Sequence, residues 1–225
     1  MKYHIEFDID FKRNSYPGKF IALEGIDGSG KSTQAQLIKD ALEKSGRNVS
    51  LKNPFEGEIG SFVRTILAGE KKLSPIALQY LISANRAAQQ EEIISDLKDG
   101  KDVIIDRYFW SAIAYAILDH PQVDQTDMKN WLLVGQGILS HYHQFLLPDV
   151  TFFLDISSRT ATSRLDQMYK AKEIYEEESQ IKKIEKIYHW LVKEFQNEFT
   201  VVNGEQPIEK ITQELLSKIE SCKNK

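Results

Sequence analysis

One short stretch constrains this chain more than the rest of it together: Gly25-Ile26-Asp27-Gly28-Ser29-Gly30-Lys31-Ser32. It fits the spacing Gly-x-x-x-x-Gly-Lys-Ser/Thr, and its context fits too. The apolar run Lys19 to Glu24 (KFIALE) precedes it and reads as a strand. Ser32 to Lys44 follows, with Leu37, Ile38, Ala41 and Leu42 at helical spacing and Gly46 as the stop. In such a strand–turn–helix, glycines let backbone N–H groups converge on phosphate oxygens, and the helix start adds its unpaired donors. Gly25, Gly28, Ser29, Gly30 and Thr33 would line the cradle, Lys31 would reach the outer phosphates, and Ser32 would ligate Mg²⁺. The ligand implied is Mg-ATP or a similar triphosphate. The motif alone does not separate kinases from GTPases, ATPases or motor proteins.

The rest of the chain alternates short apolar strands with longer helices. Asn48 to Lys52, Asp102 to Ile105, Val150 to Leu154 and Thr200 to Val202 are the further strands. Ile59–Leu67, the run from Pro75 through Leu97, Ala112–Leu118, Met128–Leu139 and Pro207–Ile219 are the further helices. Thr160 to Phe195 is helical in tone, with a very charged middle. The pattern predicts an α/β, three-layer fold with a five-stranded parallel sheet covered by helices on both faces. No linker divides it. Residues 1–18 form an N-terminal extension, readable as an edge strand (Tyr3, Ile5, Phe7, Ile9 and Phe11 alternate) or as an ordered tail. Residues 19–225 are the catalytic domain, and a lid near 166–180 is the best use of the charged stretch; a solvated helical face is the other.

Charge and cysteine content exclude several classes. The formal net charge of −4 argues against a nucleic-acid partner. The single cysteine, Cys222, allows no intrachain disulfide, and no apolar run reaches membrane-spanning length, so a cytoplasmic enzyme with no membrane partner is expected. Three further positions carry chemistry. Asp27 sits inside a loop built for anions, either as a turn former or as an acceptor for a hydroxyl of a second ligand. Asp106-Arg107 ends the third strand, where open α/β sheets bind ligands, either as phosphate and metal ligands or as a pair capping the next helix. Arg86 lies on an apolar helix and needs a partner, a phosphate or base on one reading and a buried ion pair on the other.

Several segments together resemble the thymidylate kinases: LEGIDGSGKSTQ (Leu23–Gln34), the KNP segment (Lys52–Pro54), SANRAAQ (Ser83–Gln89), DRYFWSAIAY (Asp106–Tyr115) and the closing NGEQPIEKI. The resemblance implies transfer of the γ-phosphate of ATP to dTMP, with Mg²⁺, in a homodimer. It implies that Asp27 accepts from the sugar 3′-hydroxyl and that Arg86 contacts base and monophosphate. Asp106 then lies near Mg²⁺ and the acceptor phosphate, which Arg107 binds. Tyr115 disfavours a ribose hydroxyl, Gln89 and Pro54 lie by the base, and Ser111 supports the loop. Two positions depart from the family: Lys52 stands where arginine is usual, and Ile82 where an aromatic stacks on thymine. Tyr80 and Phe109 are the nearby aromatics able to compensate. Family members place an extra cation either in the phosphate loop or in the lid. This chain has Gly28 at the loop position, which leaves Lys170 and Lys172, with Arg164 at the base of the lid. Kinases for another deoxynucleoside monophosphate or a nucleoside, a P-loop ATPase or regulatory switch, and a binding protein that has lost rate stay open as alternatives.

Overall fold

The computed structural model describes residues 8–120, 128–168 and 175–222. Strands β2 (Phe20–Glu24), β3 (Val49–Lys52), β4 (Asp102–Asp106), β6 (Val150–Asp155) and β7 (Thr200–Asn203) form one sheet in the order β3-β4-β2-β6-β7. Every neighbouring pair is parallel, with Leu23 opposite Asp106 and Glu24 opposite Phe153. From central β2 the chain passes to the edge strand β3, returns to β4, and then crosses to β6 and β7 on the other side, so the crevice at the carboxyl end of β2 is open to a ligand.

Alternation along the strands divides the core. Ile21, Leu23, Ile104, Phe152 and Leu154 face α1 (Lys31–Lys44) and α8 (Ile208–Ser221). Phe20, Ala22, Val103, Ile105 and Phe153 face the other layer. That layer is made by α3 (Pro75–Lys98), α4 (Phe109–Asp119), α5 (Met128–Tyr142) and α7 (Glu178–Glu194). Strands of such nearly continuous apolar character are those of a sheet buried on both faces. Pro75 opens α3 and the Ser74 hydroxyl accepts from the Ala77 amide, as the Ser-Pro pair predicts. At 24 residues, α3 is about 36 Å long, from the rise per residue. Its Ile93 and Leu97 pack on the sheet. Its Leu78 and Ile82 pack with α2 (Gly57–Leu67) in a separate small cluster.

Two expectations are corrected. The helical run expected over 160–195 is two helices, α6 (Ser158–Asp166) and α7, with a turn at 167–168 where the Met168 amide bonds the Leu165 carbonyl. The core of the expected lid, 169–174, lies outside the described residues, as does the expected strand up to Phe7. Among the described residues of the extension the strand is β1, Lys12–Arg13, paired parallel with β5 (Leu146–Leu147), a partner too short for the sequence pattern to reveal. The extension is nonetheless fastened. Asn14 is buried and donates to the Gly18 carbonyl (2.8 Å) and to Asp149 (2.7 Å). Phe11 meets the Phe109 ring edge-on at 5.6 Å.

Candidate active site

The phosphate loop joins β2 to α1, at the crevice. Gly30 is left-handed (φ 92°) as the residue before α1, and Gly28 (φ 79°) lies so close to α6 that a Cβ there would sit 2.7 Å from the Ala161 carbonyl oxygen. Both positions therefore require glycine. Arg164 fixes the loop from outside, donating to the Gly28 carbonyl (3.3 Å) and to the Gly204 carbonyl beyond β7 (3.0 Å). Ser29 is buried, whereas Ser32 and Thr33 face solvent. Lys31 folds over the loop, with Nζ 2.8 Å from the Ile26 carbonyl oxygen. Burial and the neighbouring Arg107 lower its pKa to about 8, against the pull of Asp106, Asp27 and Glu24.

Asp106 ends β4 beside this loop. The Ser32 hydroxyl donates to its Oδ2 at 2.5 Å, while Oδ1 is buried with no hydrogen-bond partner among the described residues. A hydroxyl next to an unsatisfied carboxylate oxygen is a fitting donor set for Mg²⁺, which takes one or two protein oxygens and completes its shell with phosphate and water. Among the described residues no cluster of three His, Cys, Asp or Glu forms an all-protein cage.

Arg107 follows in a left-handed conformation (φ 64°), unusual for a residue with a side chain. Its amide donates to the Leu23 carbonyl at 2.9 Å, and its Nη2 donates to Asp27 Oδ1 at 2.5 Å. The Tyr115 hydroxyl donates to the other oxygen of Asp27 at 2.9 Å, and the Tyr115 ring lies 5.2 Å from the guanidinium. Burial opposes the charge on Asp27, yet the Arg107 and Lys31 cations and the Tyr115 hydroxyl hold its pKa at about 2. The alternatives left open by sequence narrow here: Asp27 is no mere turn former, and Asp106 and Arg107 turn toward the phosphate loop and do not pair with each other to cap α4.

A pocket of about 70 Å³ opens from this pair. Asp27, Arg86 and Arg107 are its charged walls; Phe55, Leu67 and Ile82 its apolar ones; Ser111, Tyr115 and Tyr175 complete it with Gln79. Arg86 is 4% exposed, with Nη1 3.2 Å from the Tyr142 hydroxyl and Nε buried without a partner among the described residues. Among the described residues its partners are a hydroxyl and a ring, not the carboxylate that a buried ion pair would supply.

Three expected acceptor residues are engaged elsewhere in this structure. The Lys52 ammonium sits 2.8 Å from Glu92 and 3.1 Å from Asp96. Gln89 donates to the Asn53 carbonyl at 2.8 Å, and the Pro54 carbonyl accepts from Asn85 at 2.7 Å. They thus fasten the end of β3 to α3. Lys170 and Lys172 lie outside the described residues. The two aromatics expected to compensate for Ile82 do not: Tyr80 is 65% exposed on the outer surface and Phe109 is 1% exposed in the core. Phe55 and Tyr175 line the pocket instead. Sequence reading also passed over Glu24 and Tyr188, both fully buried. An acid closing the strand KFIALE was the available signal, because a buried carboxylate demands partners.

Comparison with known proteins identifies the family. A thymidylate kinase family model matches residues 23–215. A thymidylate kinase from Thermoanaerobacter sp. is 32% identical over 203 residues, covering 88% of this chain and 96% of the relative. The thymidylate kinase of Caldanaerobacter subterraneus is 33% identical over 196 residues, covering 85% and 89%. The structure of thymidylate kinase from Candida albicans superposes with a TM-score of 0.78 at 26% identity, covering 94% of this chain and 95% of that one. With the phosphate loop, the Asp106-Arg107 turn and the pocket between them already assembled by the fold, these matches have one meaning: the chain belongs to the thymidylate kinase family.

Proposed function

We propose that this chain transfers the γ-phosphate of ATP to dTMP, forming dTDP and ADP. The observation that carries the reading is the Asp27–Arg107 pair: Asp27 belongs to the phosphate loop, and both residues line a second pocket beside it. An ATPase or switch acting on a protein has no use for that second pocket. The ATP phosphates lie on Gly25 to Thr33 with Lys31 over them. Ser32 and Asp106 would hold Mg²⁺, whose charge offsets that of the phosphates when bound. Arg107 and Lys52 hold the acceptor monophosphate, Lys52 by exchanging Glu92 for it. Asp27 and Tyr115 meet the sugar, and Arg86, Gln89, Pro54 and Ile82 surround the base.

An acceptor phosphate oxygen attacks the γ-phosphorus as the bond to the β-phosphate oxygen breaks, and ADP leaves with that electron pair. The attacking oxygen is already anionic, so no general base is needed. Catalysis is then alignment plus charge stabilisation by Lys31, Arg107 and the lid cations Lys170 and Lys172. Lid closure keeps out water that would otherwise accept the phosphate.

The same reading includes a second copy of the chain. A groove of about 420 Å³ between α3, α4 and α5 is lined by Ile76, Tyr80, Leu133 and Val134. Ile76, Tyr80 and Leu133 are 54%, 65% and 67% exposed, and apolar surface of this kind supports the reading.

The deciding assay offers purified protein Mg-ATP with dTMP, dUMP, dCMP, dGMP, UMP or no acceptor, and follows diphosphate formation. dTMP is expected to be strongly preferred. Preference for another monophosphate replaces the acceptor; ATP hydrolysis indifferent to every acceptor overturns the kinase. Lys31→Ala is expected to lower turnover at least about 100-fold, the effect of removing one preorganised donor from developing charge.

A further inference from the structure

Among the described residues Glu24 makes five hydrogen bonds, and it does not line the pocket. Its Oε1 accepts from the amides of Tyr108 (3.0 Å), Trp110 (3.1 Å) and Ser111 (3.2 Å), at the start of α4. Its Oε2 accepts from the Ser111 hydroxyl and from the Tyr188 hydroxyl, the latter at 2.9 Å. All five partners donate, which suits an acceptor-only carboxylate.

The two hydroxyls matter most. Each has one proton, and because the two oxygens also lie 2.7 Å apart, the two protons are shared between Glu24 and the contact joining the hydroxyls. Each oxygen still keeps a lone pair for a further donor. Arg107 Nη1 is that donor, 3.4 Å from Ser111 Oγ and 3.5 Å from the Tyr188 hydroxyl. The opposite nitrogen, Nη2, is held by Asp27. A guanidinium gripped on both terminal nitrogens is fixed in rotation as well as in place. The backbone at Arg107 is in a left-handed conformation that side-chain residues rarely adopt, and three amides bonded to Glu24 fix the turn immediately after it.

The geometry points to Glu24 and Tyr188 as positioning residues that orient Arg107 for the acceptor phosphate: Glu24 anchors the Ser111–Tyr188 hydroxyl pair so that each oxygen turns a lone pair to the guanidinium. Tyr188 comes from α7, beyond the lid. The relay therefore makes the angle of the phosphate-binding arginine depend on how that helix is seated. The functional part rests on the kinase reading above; the clamp itself does not.

Tyr188→Phe tests it with least damage, since the ring stacks on Phe153 at 5.4 Å and phenylalanine keeps that contact. One arm needs no substrate. The guanidinium NMR resonances of Arg107, assigned by their loss in Arg107→Lys, should be distinct and slowly exchanging in the parent and averaged in Tyr188→Phe. The second arm is kinetic. The KM for the acceptor should rise about fivefold, the weight of one net hydrogen bond, while the KM for ATP is unchanged. The same change in an Arg107→Ala background should do nothing further to the acceptor KM. Glu24→Gln, which sets an NH₂ group against donors, should act in the same direction and more strongly. Unaltered guanidinium signals in Tyr188→Phe, or a full-sized kinetic effect without Arg107, overturns the relay. If the parent protein phosphorylates no monophosphate, the kinase reading falls, and the NMR arm still decides whether the clamp exists.

Discussion

Lys52 illustrates how pairing, not residue type, sets what a side chain can do. Its Glu92 partner is 64% exposed, so that half of the pair adds at most about 1 kcal/mol. Its Asp96 partner is 12% exposed and is the firmer anchor. Glu92→Gln should therefore leave the melting temperature nearly unchanged and lower the acceptor KM by freeing the ammonium. An unchanged or higher KM in steady-state assays would show that Lys52 is a tether only. Lys31 carries a second prediction. With a pKa lowered to about 8, its free-state charge is complete below that pH and lost above it. ATP phosphates favour the charged form, so the dissociation constant for ATP should rise with pH above about 8, with proton uptake on binding measurable by calorimetry in buffers of different ionisation enthalpy. The sequence made Lys31, Ser32, Asp27, Asp106 and Arg107 legible because a spaced motif or a strand end announced them. It left Lys52's partners illegible, because Glu92 and Asp96 are ordinary helix-surface acids until the fold brings β3 beside α3.

At the scale of elements, the join between β3 and α3 is electrostatic where most others are apolar. Burial works against the Asp96 charge, but Lys101, Ser50 and Lys52 outweigh it and hold its pKa at about 2. The folded value lies below the ordinary 3.8, so this stabilisation is whole above about pH 4 and fades as pH falls toward 2. Asp27 behaves the same way. Lys101→Met should lower stability near neutral pH, with the deficit shrinking as pH falls toward 2, measured by denaturant unfolding followed by far-UV circular dichroism at each pH. Elements with a strong period were legible to within a few residues, the five sheet strands above all. The two-residue β1 and β5 were not, since two residues carry no period. The break between α6 and α7 escaped for a different reason: a charged stretch at helical spacing looks the same whether or not the backbone continues through it.

For the molecule as a whole, the outer groove and the cleft share an element. Gln79 of α3 lines both, so a protein seated on the groove would press on the acceptor side of the pocket. Leu133→Glu is expected to give a monomer by analytical ultracentrifugation with the fold intact; a dimer that persists would move the interface elsewhere. The layered architecture was readable because alternation of strand and helix leaves few topologies, whereas the groove is a property of three helices meeting and has no signature in any one of them. The docking of α6 on the phosphate loop has an evolutionary consequence. At position 28 both the positive φ and the Ala161 carbonyl exclude a side chain, so a lineage with this packing cannot move its extra cation into the loop by a single substitution. Helix α6 would first have to retreat, and each intermediate would carry a loosened cradle; the two ways of placing that charge are therefore separated by a valley of poorly fit ancestors.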